Sequence, residues 1–219
     1  MITFDSIKND HAIKTYIAKA DESLSALGYT EHSFTHARRV AATASYILTT
    51  LGYSERDAEL ARIAGYMHDI GNLINRTDHA QSGAVMAFRI LDNLGMEPEE
   101  TATIVTAIGN HDEGTAEAVN PVAAALILAD KTDVRRSRVR NRDRALFDIH
   151  DRVNYSVTGS KVVVYPDERQ ICLMLTTDSK SFSAIEYFEI FMNRMLLCRR
   201  AAEKLDTKFL TFFNDHLLA

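Results

Sequence analysis

The chain has 219 residues, a net charge of −5, 46% hydrophobic and 25% charged residues. These proportions are those of an ordinary globular protein and exclude disordered, collagen-like and coiled-coil architectures. The longest unbroken apolar run, Val122 to Ala129, falls far short of the ~20 residues a membrane-spanning helix needs.

The first two-thirds read as successive helices. Apolar and polar residues alternate at helical spacing over ~9–27 and stop at Gly28. A second helix is predicted from about His32 to Leu51, closing on Gly52. Ser54, with Asp57 three residues on, caps a third whose stripe is Leu60, Ile63, Met67 and Ile70; Gly71-Asn72 ends it. Asp78 is expected to cap a fourth helix ending at Gly95. Pro98 opens a fifth reaching about Asn110, and Pro121 a sixth running toward Asp130.

Beyond about Phe147 the texture changes. Lys161 to Tyr165 is β-branched and aromatic, Pro166-Asp167-Glu168 forms a turn, and Arg169 to Thr177 alternates in the manner of a strand. A helix follows from Ser181 to about Lys204, with Ile185, Phe188, Met192, Met195 and Leu196 on one side, and Phe209 to Phe213 supplies a third strand. The expected organisation is mainly α, with a helical domain over 1–147 and a small ββαβ unit over 148–219. The apolar stripe from Tyr187 to Leu197 is broad for so small a unit, so part of it is assigned to a homodimer interface.

Cys172 and Cys198 are too few for a disulfide framework, and the Met-Ile-Thr-Phe-Asp-Ser start lacks the basic and apolar parts of a secretory signal. A cytoplasmic location is expected. Charge is uneven: Lys131, Arg135, Arg136, Arg138, Arg140, Arg142 and Arg144 stand against only Asp133 and Asp143. In an acidic protein such a block is either a solvated face or the place for an anionic ligand. A nucleic-acid polymer and a membrane are not expected partners.

The chemistry lies in histidines and aspartates at helix ends. His68-Asp69 closes the third predicted helix, while His36, His79, His111 and Asp130 each stand near a terminus or on one face of another. His111 continues the stripe of Ile104, Ala107 and Ile108, and Asp130 that of Ala123, Leu126 and Ile127. Ionisable groups at the ends of core-facing stripes are costly to bury unless something satisfies them, and a metal ion does so directly. Imidazole and carboxylate without thiolate suit Fe, Mn, Ni, Co or Zn. His79, in an ordinary loop-and-cap context, is the weakest of the six. Singly, each has an ordinary structural explanation; the ordered set does not.

The segments His36-Ala-Arg-Arg-Val40, Met67-His68-Asp69-Ile70-Gly71, Ile108-Gly-Asn-His111-Asp112 and Leu128-Ala-Asp130-Lys131 resemble the HD-domain superfamily of metal-dependent phosphohydrolases over residues ~30–135. The resemblance implies a helical bundle holding one or two divalent transition-metal ions. His36, His68, Asp69 and Asp130 would surround a first ion, and Asp69 would bridge to a second bound by His79 and His111. It further implies hydrolysis of a phosphomonoester or nucleotide phosphate by a metal-activated water, with Asp69, Lys131 and Arg135 as catalytic residues. Lys131, Arg135 and Arg138 would grip the phosphate of a phosphorylated small molecule or nucleotide, the two arginines lying one and two turns on if the helix continues. The alternatives are a di-iron oxygenase of the same superfamily and a non-enzymatic ligand-sensing or scaffold protein. Asn72 stands where several subfamilies place a Lys, and the GYP signature is absent. Asp112 either orients His111 or replaces a motif residue, and His32, one turn before His36, is read as a surface histidine, with a spare ligand or rim residue as the alternative.

Overall fold

The structure, a computed structural model, describes residues 1–141, 143, 147, 149–178 and 184–218. Helices dominate: α1 (Phe4–Asn9), α2 (His11–Ala26), α3 (Phe34–Thr50), α4 (Glu55–Met67), α5 (His79–Asn93), α6 (Pro98–Gly109), α7 (Pro121–Lys131) and α8 (Ile149–Ser156). Then come β1 (Val157–Tyr165), β2 (Gln170–Thr177), α9 (Ala184–Lys204), β3 (Lys208–Phe213) and β4 (His216–Leu217). No helix among the described residues is long and apolar enough to cross a membrane.

The helix starts follow their local chemistry. Ser54 Oγ accepts from Asp57 N (3.0 Å), and Asn120 Oδ1 accepts from Ala123 N (2.7 Å) beside Pro121 in the first turn. Asp78 departs from its expected role. It sits in the left-handed region (φ 55°) without a side-chain cap bond, so it turns the chain into α5 instead of capping it. The short α1 and α8 were not foreseen, being too brief to show a hydrophobic period.

Helix α7, apolar on all sides from Val122 to Ala129 and buried throughout, is the axis of the bundle; α3, α4, α6 and α9 all pack on it. A helix apolar all round belongs in the interior. Its end falls at Lys131. Thr132 Oγ1 turns back to donate to Leu128 O at 2.6 Å, and the basic segment beyond runs extended into a 3-10 turn at Arg136–Arg138. The arginines therefore do not continue a helix face. Arg142 and Arg144 lie outside the described residues.

The sheet has the order β1-β2-β3-β4. β1 and β2 form the expected hairpin, and β3 pairs parallel to β2, Ile171 beside Phe209 through Leu175 beside Phe213, with α9 as the crossover. Strand β2 is central: Ile171, Cys172, Leu173 and Leu175 are all buried. On α9 the buried stripe is Tyr187, Phe191, Met195, Cys198 and Ala202, whereas Ile185, Met192 and Leu196 are exposed. The helix is apolar on two faces, and the face that packs is offset from the one predicted. One hydrophobic cluster includes residues of α3, α4 and α7 together with β1, β2 and α9, so a continuous core spans the expected boundary near residue 147.

Candidate metal centre

Helix ends converge at one end of α7. His36 lies in the first turn of α3, His68 at the close of α4, and Asp69 opens the 3-10 turn Ile70–Leu73. His79 begins α5, His111 follows α6, and Asp130 is in the last turn of α7. Two close packings force the convergence. A Cβ at Gly65 would lie 2.8 Å from Ala41 Cα, so α3 and α4 cross with backbones in contact, which brings His36 and His68 together. A Cβ at Gly71 would lie 2.0 Å from His79 O. Only glycine lets the turn after Asp69 press against the start of α5.

All four histidines are at most 2% exposed. His36 Nε2 lies 3.3 Å from His68 Nε2, 3.3 Å from Asp130 Oδ1 and 3.5 Å from Asp69 Oδ2. His68 Nε2 is 3.2 Å from Asp69 Oδ2, and His79 Nε2 is 3.5 Å from Asp69 Oδ1. The His111 ring stands 5.0 Å from that of His68 and 5.1 Å from that of His79, centroid to centroid. Two donor groups, His36/His68/Asp130 and His68/Asp69/His111, each converge within 4.8 Å.

The other ring nitrogens are fixed. His68, His79 and His111 donate from Nδ1 to the carbonyls three residues earlier, Gly65 (2.9 Å), Arg76 (3.0 Å) and Ile108 (2.6 Å), while His36 Nδ1 donates to Asp133 Oδ2 at 2.8 Å. An acceptor without a proton at Nδ1 assigns the hydrogen there and leaves the lone pair at Nε2. Four lone pairs and two carboxylates therefore face one another. Asp69 Oδ2 and His111 Nε2 are buried with no hydrogen-bond partner in the protein. Convergent acceptors with orphaned members need a cation, so the residues fit a divalent metal ion.

The electrostatics agree. Burial opposes a charge on His68, yet Asp69 and Asp130 push its pKa up to about 10, so without a cation His68 Nε2 takes up a proton, and a metal ion would bind its lone pair by displacing that proton. Burial, with His68 and Lys131 nearby, pushes that of His111 down to about 3. Against the effect of burial, His68 holds Asp69, and Lys131 with His36 and His68 holds Asp130, well below the usual carboxylate range. The groups thus demand positive charge at the centre.

A cavity of about 300 Å³ opens onto Asp69, His79 and Asp130 and is lined by Arg76, Lys131, Arg138 and Arg194 among others. Lys131 Nζ sits 2.8 Å from Asp130 Oδ2. Arg138 spends Nε on Glu31 O and Nη1 on Asp133 O, both at 3.0 Å. Arg135, in contrast, does not line the cavity. Its guanidinium is tied to Asp133 Oδ1 (3.0 Å), Glu31 Oε2 (2.7 Å) and Ser137 Oγ (2.6 Å).

Several working residues were missed. Asp133 counted only as a charge opposing the basic block, yet it orients His36. Asn72 Nδ2 donates to Asp69 Oδ1 at 2.9 Å, so the residue in place of the subfamily Lys steadies the central carboxylate. His32 lines the cavity, which is its alternative reading as a rim residue, and Asn154 from α8 and Phe191 from α9 line it too. Asp112 Oδ1 lies 3.9 Å from His79 Nε2, while His111 takes its orientation from Ile108. For Asn72 and Arg76, their spacing after the His-Asp pair was the available signal.

These features define a helical protein with a buried His/Asp cluster that could hold a metal ion. Residues 33–135 match the family model of the HD domain. It is 26% identical over 170 residues to an uncharacterized protein of Methanocaldococcus jannaschii, covering 67% of this chain and 65% of that protein; the chain thus spans a little under two thirds of its length. A predicted HD superfamily hydrolase from an uncultured Thermotogales bacterium is similar at 25% identity and a TM-score of 0.44, over 56% of this chain and 67% of that one.

Proposed function

We propose that the chain is a metal-dependent phosphohydrolase that cleaves a phosphomonoester or nucleotide phosphate with water. The observation that supports this most is the meeting of two arrangements. The Asp69 carboxylate, with an orphaned oxygen, stands with His79 and Asp130 at the floor of a cavity whose walls carry four cationic side chains, and the orphaned His111 imidazole belongs to the same donor cluster as Asp69. His36, His68, Asp69, Asp130 and His111 would hold the ion, with His79 on the far side of Asp69. A divalent ion bound there supplies Lewis acidity and lowers the pKa of water toward neutrality.

The remaining work falls to the protein. Asp69 and Asp130, kept ionised by their surroundings, would serve as anionic ligands at the cavity floor. Lys131, buried beside Asp130, and Arg138, with two nitrogens anchored on carbonyls, present fixed positive charge. Such charge counters the negative charge a phosphoryl group spreads over its oxygens in the transition state. Because both are held by the protein before any ligand arrives, little reorganisation is required. A cavity of about 300 Å³ lies at the small end of ligand sites, which favours a compact phosphoester over a polymer.

The test is a screen of p-nitrophenyl phosphate and nucleoside monophosphates against protein loaded with Mn, Fe, Co, Ni or Zn, with Asp69→Ala beside it. Turnover in the wild type, lost together with metal in the variant, supports the reading. A metal-loaded protein that hydrolyses no phosphoester overturns it.

A further inference from the structure

The two sides of Asp69 are not equivalent. On the Oδ2 side, Asp69 Oδ2 has no hydrogen-bond partner, and His36 Nε2 and His68 Nε2 lie 3.5 and 3.2 Å from it, both grouped with Asp130. On the Oδ1 side the donors are already engaged. Asn72 Nδ2 donates to Asp69 Oδ1 at 2.9 Å, and Arg76 Nη1 stands 3.3 Å from His79 Nε2 and 3.3 Å from Asn72 Oδ1. Arg76 brackets the His79 ring: its carbonyl accepts from Nδ1 at 3.0 Å while its guanidinium donates toward Nε2. Its head group also lies 5.7 Å from the centre of the Tyr29 ring. Neither donor group that converges within 4.8 Å includes His79.

We propose that Arg76 is a built-in cation holding the second metal position: the guanidinium on His79 Nε2 limits the chain to one tightly bound ion, and a second enters only when Arg76 swings away. A guanidinium keeps its charge at any pH a protein tolerates. At hydrogen-bond distance from a ligand atom it both blocks the lone pair and repels a divalent ion. The same swing leaves its charge lining the cavity, beside Lys131 and Arg138. This inference rests on the metal-binding reading of the centre.

The experiment is calorimetric titration of metal-free wild type, Arg76→Ala, Arg76→Gln and the double variant Arg76→Ala/His79→Ala with Mn²⁺, each checked for helical content by circular dichroism. Gln keeps a hydrogen-bond donor and drops the charge, so it stands in should Ala fail to fold. The expected result is one tight ion in the wild type and a second that tightens by about tenfold or more once the charge is removed, with the double variant back to one. Two ions of similar affinity in the wild type, or an unchanged second site in both Arg76 variants, overturns the proposal and leaves the metal centre standing. No uptake by any folded variant overturns both.

Discussion

Gly65→Ala tests the claim that backbone contact between α3 and α4 builds the centre. The new Cβ would sit 2.8 Å from Ala41 Cα, 2.9 Å from Ala41 N and 3.0 Å from Val40 C. Carbon atoms rest at about 3.5–4.0 Å, so the helices must part locally by roughly 0.7 Å. None of the clashing atoms is the end of a flexible side chain. Overpacking costs about 1–3 kcal/mol, against about 1 kcal/mol returned by the helix propensity of Ala over Gly. A net loss of up to about 2 kcal/mol lowers Tm by up to about 8 °C in a chain of this length. The centre suffers more, because metal–ligand distances tolerate only about 0.2 Å and His36 and His68 ride on the two separating helices. Thermal unfolding in chelator gives the first effect, and metal titration the second. Gly114→Ala, where an added Cβ meets nothing within 4 Å, is the control. A Gly65→Ala protein as stable as wild type with unchanged metal affinity would refute the reasoning.

Two substitutions probe the network behind His36. Asp133→Asn keeps the shape but drops the charge that fixes His36 Nδ1, and metal affinity should fall about 10- to 100-fold in competition with a chromophoric chelator; unchanged affinity would remove Asp133 from the centre's support. Arg135→Ala strips a half-buried partner from Asp133 and Glu31, and urea unfolding should show a loss of about 2–4 kcal/mol. The KM for a phosphoester substrate should stay put. Full stability with a raised KM would return Arg135 to the substrate side.

Much of this arrangement was written locally. Helices with a clear stripe, a Ser or Asn cap or a leading Pro were legible to within a few residues, because their signals act within one turn. Of the six proposed ligands, His111 and Asp130 were legible as ionisable groups ending core-facing stripes, whereas His79, in a loop-and-cap context, was carried only by the ordered set. What stayed hidden depends on contacts distant in sequence. Asp133 reaches His36 across 97 positions, and nothing near Asp133 marks it out from a charge in a basic block. Arg135 and Arg138 lie three residues apart, yet one faces inward to a carboxylate pair and the other a cavity, a distinction set by where α7 ends. The buried face of α9 was misplaced because both sides of that helix are apolar. Only its packing on α7 and the sheet decides between them.

The carbonyl ties of the histidines determine where the centre is vulnerable to mutation. His68, His79 and His111 are each oriented by main chain three residues upstream, and a side-chain substitution cannot delete a carbonyl. Arg76 and Ile108 can change identity and still present the same acceptor, provided the local turn survives; Gly65 is held by its contact with Ala41, not by its carbonyl. His36 alone depends on a side chain, Asp133, for its orientation. Sequence drift around three of the four imidazoles is therefore buffered by the backbone. The fourth has a single point of failure nearly a hundred residues away, and variants that misorient an imidazole by removing its hydrogen-bond partner should concentrate there.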